Sequence, residues 1–292
     1  MHKTATLNGD FGFMIEDVTR KDLESTRFQR AAYDLWTQHG GLIAVRGVDL
    51  ADISPEELMA WSSVFGEVEE ITLAARENSM VPGFPILRIG NIRDEAGNLK
   101  ASFSRGVPLK SDADIQYNPE TRRPVWHTDS TFREDPPIGS VFHCRQAPPE
   151  GAETLFADTR HAFANLDDET KTRLSGMEAI CSLAHHDKKI SLYTPGYPTL
   201  TDEQRAANPP NRVPIVLEHP VSRVRAIYGL NSSTCAVVPK GDSIDQAGLD
   251  RWDLEGVEDE SVLILRELLP YITGPEFTVK WSWRPGDIVA WD

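Results

Sequence analysis

Pro124-Val125-Trp126-His127-Thr128-Asp129-Ser130-Thr131-Phe132, followed by Pro136-Pro137-Ile138-Gly139, is the stretch that decides how this chain is read. On an extended segment, residues i and i+2 leave the same face of a strand. The imidazole of His127 and the carboxylate of Asp129 then converge on one point, as two legs of a 2-His-1-carboxylate facial triad. Such a triad occupies one face of an octahedral ion and leaves the other for a bidentate cosubstrate and dioxygen, the arrangement of iron(II) oxygenases. A structural zinc site would instead close its coordination with four ligands. The triplet alone is short, and the eight histidines supply a second one, His185-His186-Asp187. An isolated His-x-Asp is more often made of ordinary polar side chains than of ligands, so the surroundings must separate the two.

Upstream, the pattern is helix–strand–helix. Phe28, Ala31, Ala32, Leu35 and Trp36 form one apolar stripe on a helix that Gly40 and Gly41 can end. Leu42-Ile43-Ala44-Val45 is a short buried strand. Ser54-Pro55-Glu56-Glu57 starts a helix, with Ser54 as N-cap, Pro55 at N1 and Glu57 closing a capping box, and Leu58, Trp61 and Phe65 continue it. Residues 72–124 hold few periodic apolar positions and many breakers. They are expected to form a short strand near Ile86–Ile89 and then a long active-site loop or lid. Lys100 to Arg123 carries five basic and three acidic residues, a locally positive segment in an acidic chain.

Downstream, β-like runs at Gly139–Cys144, Ile215–His219, Arg225–Leu230, Phe277–Trp283 and Asp287–Trp291 alternate with capped helical pieces. The latter lie near Thr159–Leu166, Asp167–Ser175, Thr201–Ala207 and Asp259–Leu269. Short strands with Pro/Gly turns and a few helices predict an α+β fold, a β-sandwich or jelly-roll core with helices outside, in a single domain over 1–292.

The 292 residues, 40% hydrophobic, suffice for one large core or at most two modest domains. The net charge of −15 argues against nonspecific binding to nucleic acid or anionic membranes, and leaves small anionic substrates open. Cys144, Cys181 and Cys235 form no CxxC pair and cannot all pair, which argues against a disulfide framework or a zinc knuckle. The start lacks a signal-peptide run and no stretch approaches membrane-spanning length, so a cytoplasmic protein is expected.

The His127 context resembles the TauD/TfdA family of 2-oxoglutarate-dependent dioxygenases, whose Trp-His-x-Asp-x-x-Phe and following Pro-Pro stand here intact. Gly151-Ala152-Glu153-Thr154-Leu155-Phe156, His219-Pro220-Val221, Pro275-Glu276-Phe277 and Trp281-Ser282-Trp283-Arg284-Pro285-Gly286-Asp287-Ile288-Val289-Ala290-Trp291-Asp292 are similar to family segments and follow in family order. The resemblance covers roughly residues 30–292. It implies a double-stranded β-helix (jelly-roll) core with flanking helices, Fe(II) as cofactor, 2-oxoglutarate as cosubstrate, and dioxygen and a small organic molecule as partners. A homo-oligomer is also implied. His127 and Asp129 are similar to the family's first two iron ligands, and Thr154 to the threonine whose hydroxyl contacts a carboxylate of 2-oxoglutarate. Trp126 and Phe132 would wall the metal or else pack as core aromatics. Arg123 could receive an anionic substrate or else lie on a solvated loop. The His185 triplet and His219 are read as structural.

The family's distal His ligand and its 2-oxoglutarate Arg lie beyond the Trp-Asp-Asn-Arg motif, inside which this chain ends. We therefore expect a C-terminally incomplete version of a longer enzyme, weak in iron binding and turnover, a view favoured too by an apolar strand ending in an open sheet edge. Sulfonates, aryloxyalkanoates and alkyl sulfates are the family's substrate range. Taurine is disfavoured, because Glu70-Ile71-Thr72-Leu73-Ala74 lacks the His and Tyr of the taurine site. A non-catalytic jelly-roll binding protein and a zinc or manganese enzyme on a cupin-like barrel remain as alternatives.

Overall fold

The computed structural model of the chain describes residues 2–70, 79–90, 94–97, 126–187, 199–230, 233–245 and 260–292. Its elements are β1 (Lys3–Asn8), β2 (Phe11–Glu16), α1 (Arg20–Leu23), α2 (Thr26–Gln38), β3 (Leu42–Arg46), α3 (Pro55–Ser62), β4 (Ser140–His143), β5 (Thr154–Ala157), α4 (Thr159–Ala164), α5 (Asp168–Ser175), β6 (Met177–Cys181), α6 (Asp202–Ala207), β7 (Asn211–Pro214), β8 (Val216–Glu218), β9 (Arg225–Ile227), β10 (Thr234–Pro239), α7 (Glu260–Ile272), β11 (Thr278–Trp281) and β12 (Asp287–Trp291). Helices and sheets are mixed, as the α+β reading expects. The chain divides into two compact units. The first draws on Met1–Ser111, Ile138–Thr154 and Lys280–Asp292, the second on Asp112–Pro137 and Leu155–Val279.

The first unit holds a five-stranded sheet in the order β1-β2-β3-β12-β4. All its pairings are antiparallel except β2 with β3. Ile43 and Val45 of β3 and Ile288 and Ala290 of β12 face the same side, where Trp36, Trp61 and Phe65 pack against them. Rings meet edge-on, Trp36 with Phe65 at 5.3 Å and Trp61 with Phe65 at 5.6 Å. Burying each such side chain contributes roughly 1.5–3 kcal/mol. The α3 start is as expected: Ser54 accepts from the Glu57 amide and Glu57 returns the bond to Ser54. The helix stops at Ser62, so Phe65 reaches the core from the following turn. On α2, Ala31 is exposed, and the apolar stripe runs through Phe28, Ala32, Leu35 and Trp36.

Three expectations need correction in this unit, and a fourth lies mostly outside the described residues. A hairpin, β1–β2, precedes the first helix; Asn8 pairs with Phe11 across Gly9-Asp10, with Gly9 at φ 60°. No strand forms over Ile86–Ile89; an isolated bridge joins Met80 to Leu87 around a tight turn closed by Val81 N donating to Ile86 O at 2.8 Å. Pro82 and Pro85 lack the N–H groups a ladder needs. Strand β12 is no open edge, for β3 and β4 flank it on both sides. Of the loop expected at 72–124, only 79–90 and 94–97 lie among the described residues.

The register of β12 on β3 sets Asp287 opposite Arg46. Arg46 grips both carboxylate oxygens, Nε to Oδ1 at 2.6 Å and Nη2 to Oδ2 at 2.8 Å, and the Arg284 amide donates to Oδ2 at 2.8 Å. The Asp287 side chain is 0% exposed. The guanidinium also lies 4.9 Å over the Trp281 ring. The flanking glycines permit this approach: a Cβ on Gly286, whose φ is 89°, would stand 2.0 Å from the Gly47 carbonyl oxygen.

In the second unit, β10-β6-β7 form an antiparallel sheet and β8–β9 a hairpin. Met177, Ala179 and Cys181 of β6, Val213 of β7 and Val237 of β10 face a core shared with Phe163 of α4 and Ile264, Leu265 and Leu268 of α7. Asp158, Asp167 and Thr201 cap α4, α5 and α6 as their sequences announce. Helix α7 runs through Pro270 to Ile272, past its expected end, because Ile272 is buried in that core. Sequence reading missed β6, β7 and β10. Strands β5 and β11 pair in a two-stranded ladder. Among the described residues no helix is long and apolar enough to cross a membrane.

None of the three cysteines is in a disulfide. Burial, then the nearby Asp287 carboxylate, push the half-buried Cys144 thiol up to about 11, with Arg46 opposing. At pH 8 about one Cys144 in a thousand would be thiolate, against roughly a quarter of an ordinary cysteine. Iodoacetamide labelling followed by mass spectrometry should therefore find Cys144 about 100-fold slower than a free thiol. Replacing Asp287 with Ala leaves the mostly buried Arg46 unpaired. It should cost about 3–5 kcal/mol in denaturant unfolding, and a loss under 1 kcal/mol would contradict the account.

Candidate functional site

Residues 126–128 carry no regular structure, and 129–132 form a turn with Ser130 at φ 56°. The strand that motivated the His-x-Asp spacing is therefore absent. The two side chains converge all the same, because the turn brings them together. His127 Nε2 lies 3.2 Å from Asp129 Oδ1, and both side chains are about two-fifths exposed at 43% and 40%. An octahedral ion with bonds of about 2.1 Å sets adjacent ligand atoms about 3 Å apart, so the pair matches one edge of such a polyhedron. One neutral nitrogen and one carboxylate oxygen also make a donor set suited to iron(II).

The turn is fastened from below within its own unit. Thr131 is buried, and its hydroxyl shares a 3.2 Å hydrogen bond with that of Ser233, just before β10. Asn211, the first residue of β7, donates its amide N–H groups to the carbonyls of Thr131 at 3.0 Å and Arg133 at 2.6 Å. The Arg133 amide donates to Ser130 O at 2.9 Å. Phe132 packs against the core of the second unit, and Trp126 is half-buried. Neither Asn211 nor Ser233 stands out in the sequence, because a polar residue at a strand end carries no motif.

Thr154 opens β5 and belongs to the first unit. The indole N–H of Trp283 donates to its hydroxyl oxygen at 2.9 Å. Beside it, Lys280 Nζ meets Glu153 Oε1 at 2.9 Å, and this partner holds the Glu153 carboxyl below its usual range. Arg123 and the Glu70–Ala74 segment after Glu70 lie outside the described residues.

The other histidines that the sequence offered stand in local contacts. His185 and Asp187 are buried, and Asp187 accepts the Leu200 amide at 2.7 Å. The ring of His219 accepts from the amide and hydroxyl of Ser222, both at 2.9 Å, closing a local turn. A cavity of about 470 Å³ in the second unit is lined by His161, Asn165, Tyr271, Glu276 and Phe277; of these only Glu276 and Phe277 belong to a segment quoted from the sequence, and neither carries a site role there.

Residues 8–292 match the model of the family described as "Taurine catabolism dioxygenase TauD, TfdA family". The chain belongs to that family. It is 28% identical over 169 residues to the alpha-ketoglutarate-dependent 2,4-dichlorophenoxyacetate dioxygenase of Burkholderia sp. (strain RASC), a match covering 58% of this chain and 49% of that protein. It is 24% identical to the (S)-phenoxypropionate/alpha-ketoglutarate-dioxygenase of Sphingobium herbicidovorans, over 99% of this chain and 85% of the relative. The chain thus spans about half the length of the curated 2,4-dichlorophenoxyacetate dioxygenases it matches. Its fold is that of AAD-2, solved in complex with Mn(II) and N-oxalylglycine, with a TM-score of 0.66 and 23% identity over 100% of this chain and 88% of that one.

The two bonds from Asn211 predict a local effect. Asn211→Ala should speed amide hydrogen exchange across 129–133 while leaving β6 and β10 protected, at a cost of about 1–3 kcal/mol. Unchanged exchange in the turn would show that Asn211 does not hold it.

Proposed function

We propose that this chain is a dioxygenase domain of the Fe(II)- and 2-oxoglutarate-dependent kind, on a jelly-roll core, that oxidises a small anionic organic molecule. The observation that carries the proposal is the 3.2 Å approach of His127 Nε2 and Asp129 Oδ1 on a braced turn. Those two side chains would hold the metal, and the Thr154 hydroxyl would donate to a carboxylate of 2-oxoglutarate. When bound, the iron supplies the activation of dioxygen, coupled to decarboxylation of 2-oxoglutarate to succinate. The protein's part is to fix ligands and cosubstrate and to keep the reacting carbon away from water. Thr154 suits an anion because a hydroxyl donates without bringing a competing charge.

The substrate class rests on chemistry common to the relatives. Their names specify 2,4-dichlorophenoxyacetate, (S)-phenoxypropionate, a sulfonate and a sulfate ester, each an anion. We assign Arg123 to meeting the anionic end, and Trp126 and Phe132 to the apolar wall. Catalysis of this kind needs a divalent metal held by both first ligands. Manganese(II) titration monitored by electron paramagnetic resonance should show binding that His127→Ala or Asp129→Asn weakens by about 100-fold or more. Succinate release with iron(II), though slow, should then respond to an aryloxyalkanoate, a sulfonate or an alkyl sulfate. Metal affinity untouched by both substitutions would overturn the reading.

A further inference from the structure

The hydrogen bond between Trp283 and Thr154 decides more than the fit of two side chains. An indole N–H can only donate, whereas a threonine hydroxyl has one hydrogen and two acceptor sites. With Trp283 Nε1 at 2.9 Å from Thr154 Oγ1, the hydroxyl must act here as acceptor. Its own hydrogen is thereby turned away from the indole. We propose that Trp283 is a positioning residue that fixes the Thr154 hydroxyl as an outward hydrogen donor for a carboxylate of 2-oxoglutarate. This rests on the assignment of Thr154 made above.

The surroundings make the indole a rigid reference. Trp283 lies in the segment between β11 and β12, with its ring 6.3 Å from that of Trp281 and 6.3 Å from that of Phe142. Trp281 is buried beneath the guanidinium of Arg46, itself locked to Asp287. Glu153, next to Thr154, meets Lys280 in a largely exposed pair that adds little to this order. The ordering of the indole therefore rests on the aromatic packing around it. A hydroxyl already accepting one hydrogen bond also becomes a better donor, because successive bonds polarise one another.

The test is a cycle of Trp283→Phe, Thr154→Val and the double variant, in the full chain loaded with manganese(II). Calorimetric titration with 2-oxoglutarate is the readout. Each single substitution should weaken 2-oxoglutarate about five- to twentyfold, with manganese(II) affinity in its absence unchanged, and the double variant should be no weaker than Thr154→Val. Weakening by Thr154→Val alone would overturn the role of Trp283 and leave Thr154 in place. No effect of Thr154→Val, or no binding of 2-oxoglutarate by the unsubstituted chain, would overturn the assignment of Thr154 and this role with it. Independent losses that multiply in the double variant would mark Trp283 as merely structural. Should Trp283→Phe fail to fold, the indole N–H resonance of Trp283 in 15N-labelled protein replaces it as a probe. Thr154→Val must shift that resonance, and so must 2-oxoglutarate in the unsubstituted chain; a resonance unmoved by either overturns the proposal.

Discussion

The carboxylate of Asp287, gripped at both oxygens by Arg46 in the middle of a sheet, is the constraint on which the first unit depends. A buried ion pair stabilises little against an apolar substitute, because desolvation offsets the attraction. Its force lies in what it forbids. If β12 slipped by one residue on β3, an unpaired carboxylate would be left in the interior and every side chain of β12 would change face. The pair thereby holds Ile288 and Ala290 on the helix side. The same guanidinium covers Trp281, so one contact orders both the sheet and the aromatic segment leading to Trp283.

The candidate metal ligands are organised differently. His127 and Asp129 stand on a turn with no ladder of its own, and their order comes from groups far away in sequence. Asn211 reaches back to Thr131 across 80 positions, and Ser233 across 102. Exposed ligands on a turn can accept an ion that a buried pair could not, while the buried Thr131 supplies the rigidity such a site needs. Loops positioned by a scaffold commonly carry function for this reason.

What the sequence disclosed follows the range of each interaction. The capping box at Ser54, Pro55 and Glu57 was legible because three adjacent residues encode it, and β12 because Asp287–Trp291 is a compact apolar run. The hairpin at Asn8-Gly9 carries a turn signal, but its strand β1 is mostly exposed and polar and so shows little apolar alternation. Strands β6 and β10 escaped because both their faces are covered: Ile180, Cys235, Ala236 and Val238 form a second small cluster behind the main core, so no polar alternation marks them. At the site, the motif revealed His127 and Asp129 but suggested the wrong backbone. The bond from Trp283 to Thr154 spans 129 positions, and nothing local to either residue announces it.

The place of β12 between β3 and β4 has a temporal meaning. Arg46 and its partner are 241 residues apart, and synthesis at about 5–20 residues per second separates their emergence by roughly 12–48 s. During that interval β2 and β3 can pair and the early helices can pack, yet Leu42–Val45 must wait with one edge open and Arg46 without its carboxylate. Until Asp287 is made, the nascent chain carries a strand with one unpaired edge, the kind of surface that invites mispairing. The sheet can close only in a late, long-range step, with the slow kinetics that high contact order brings.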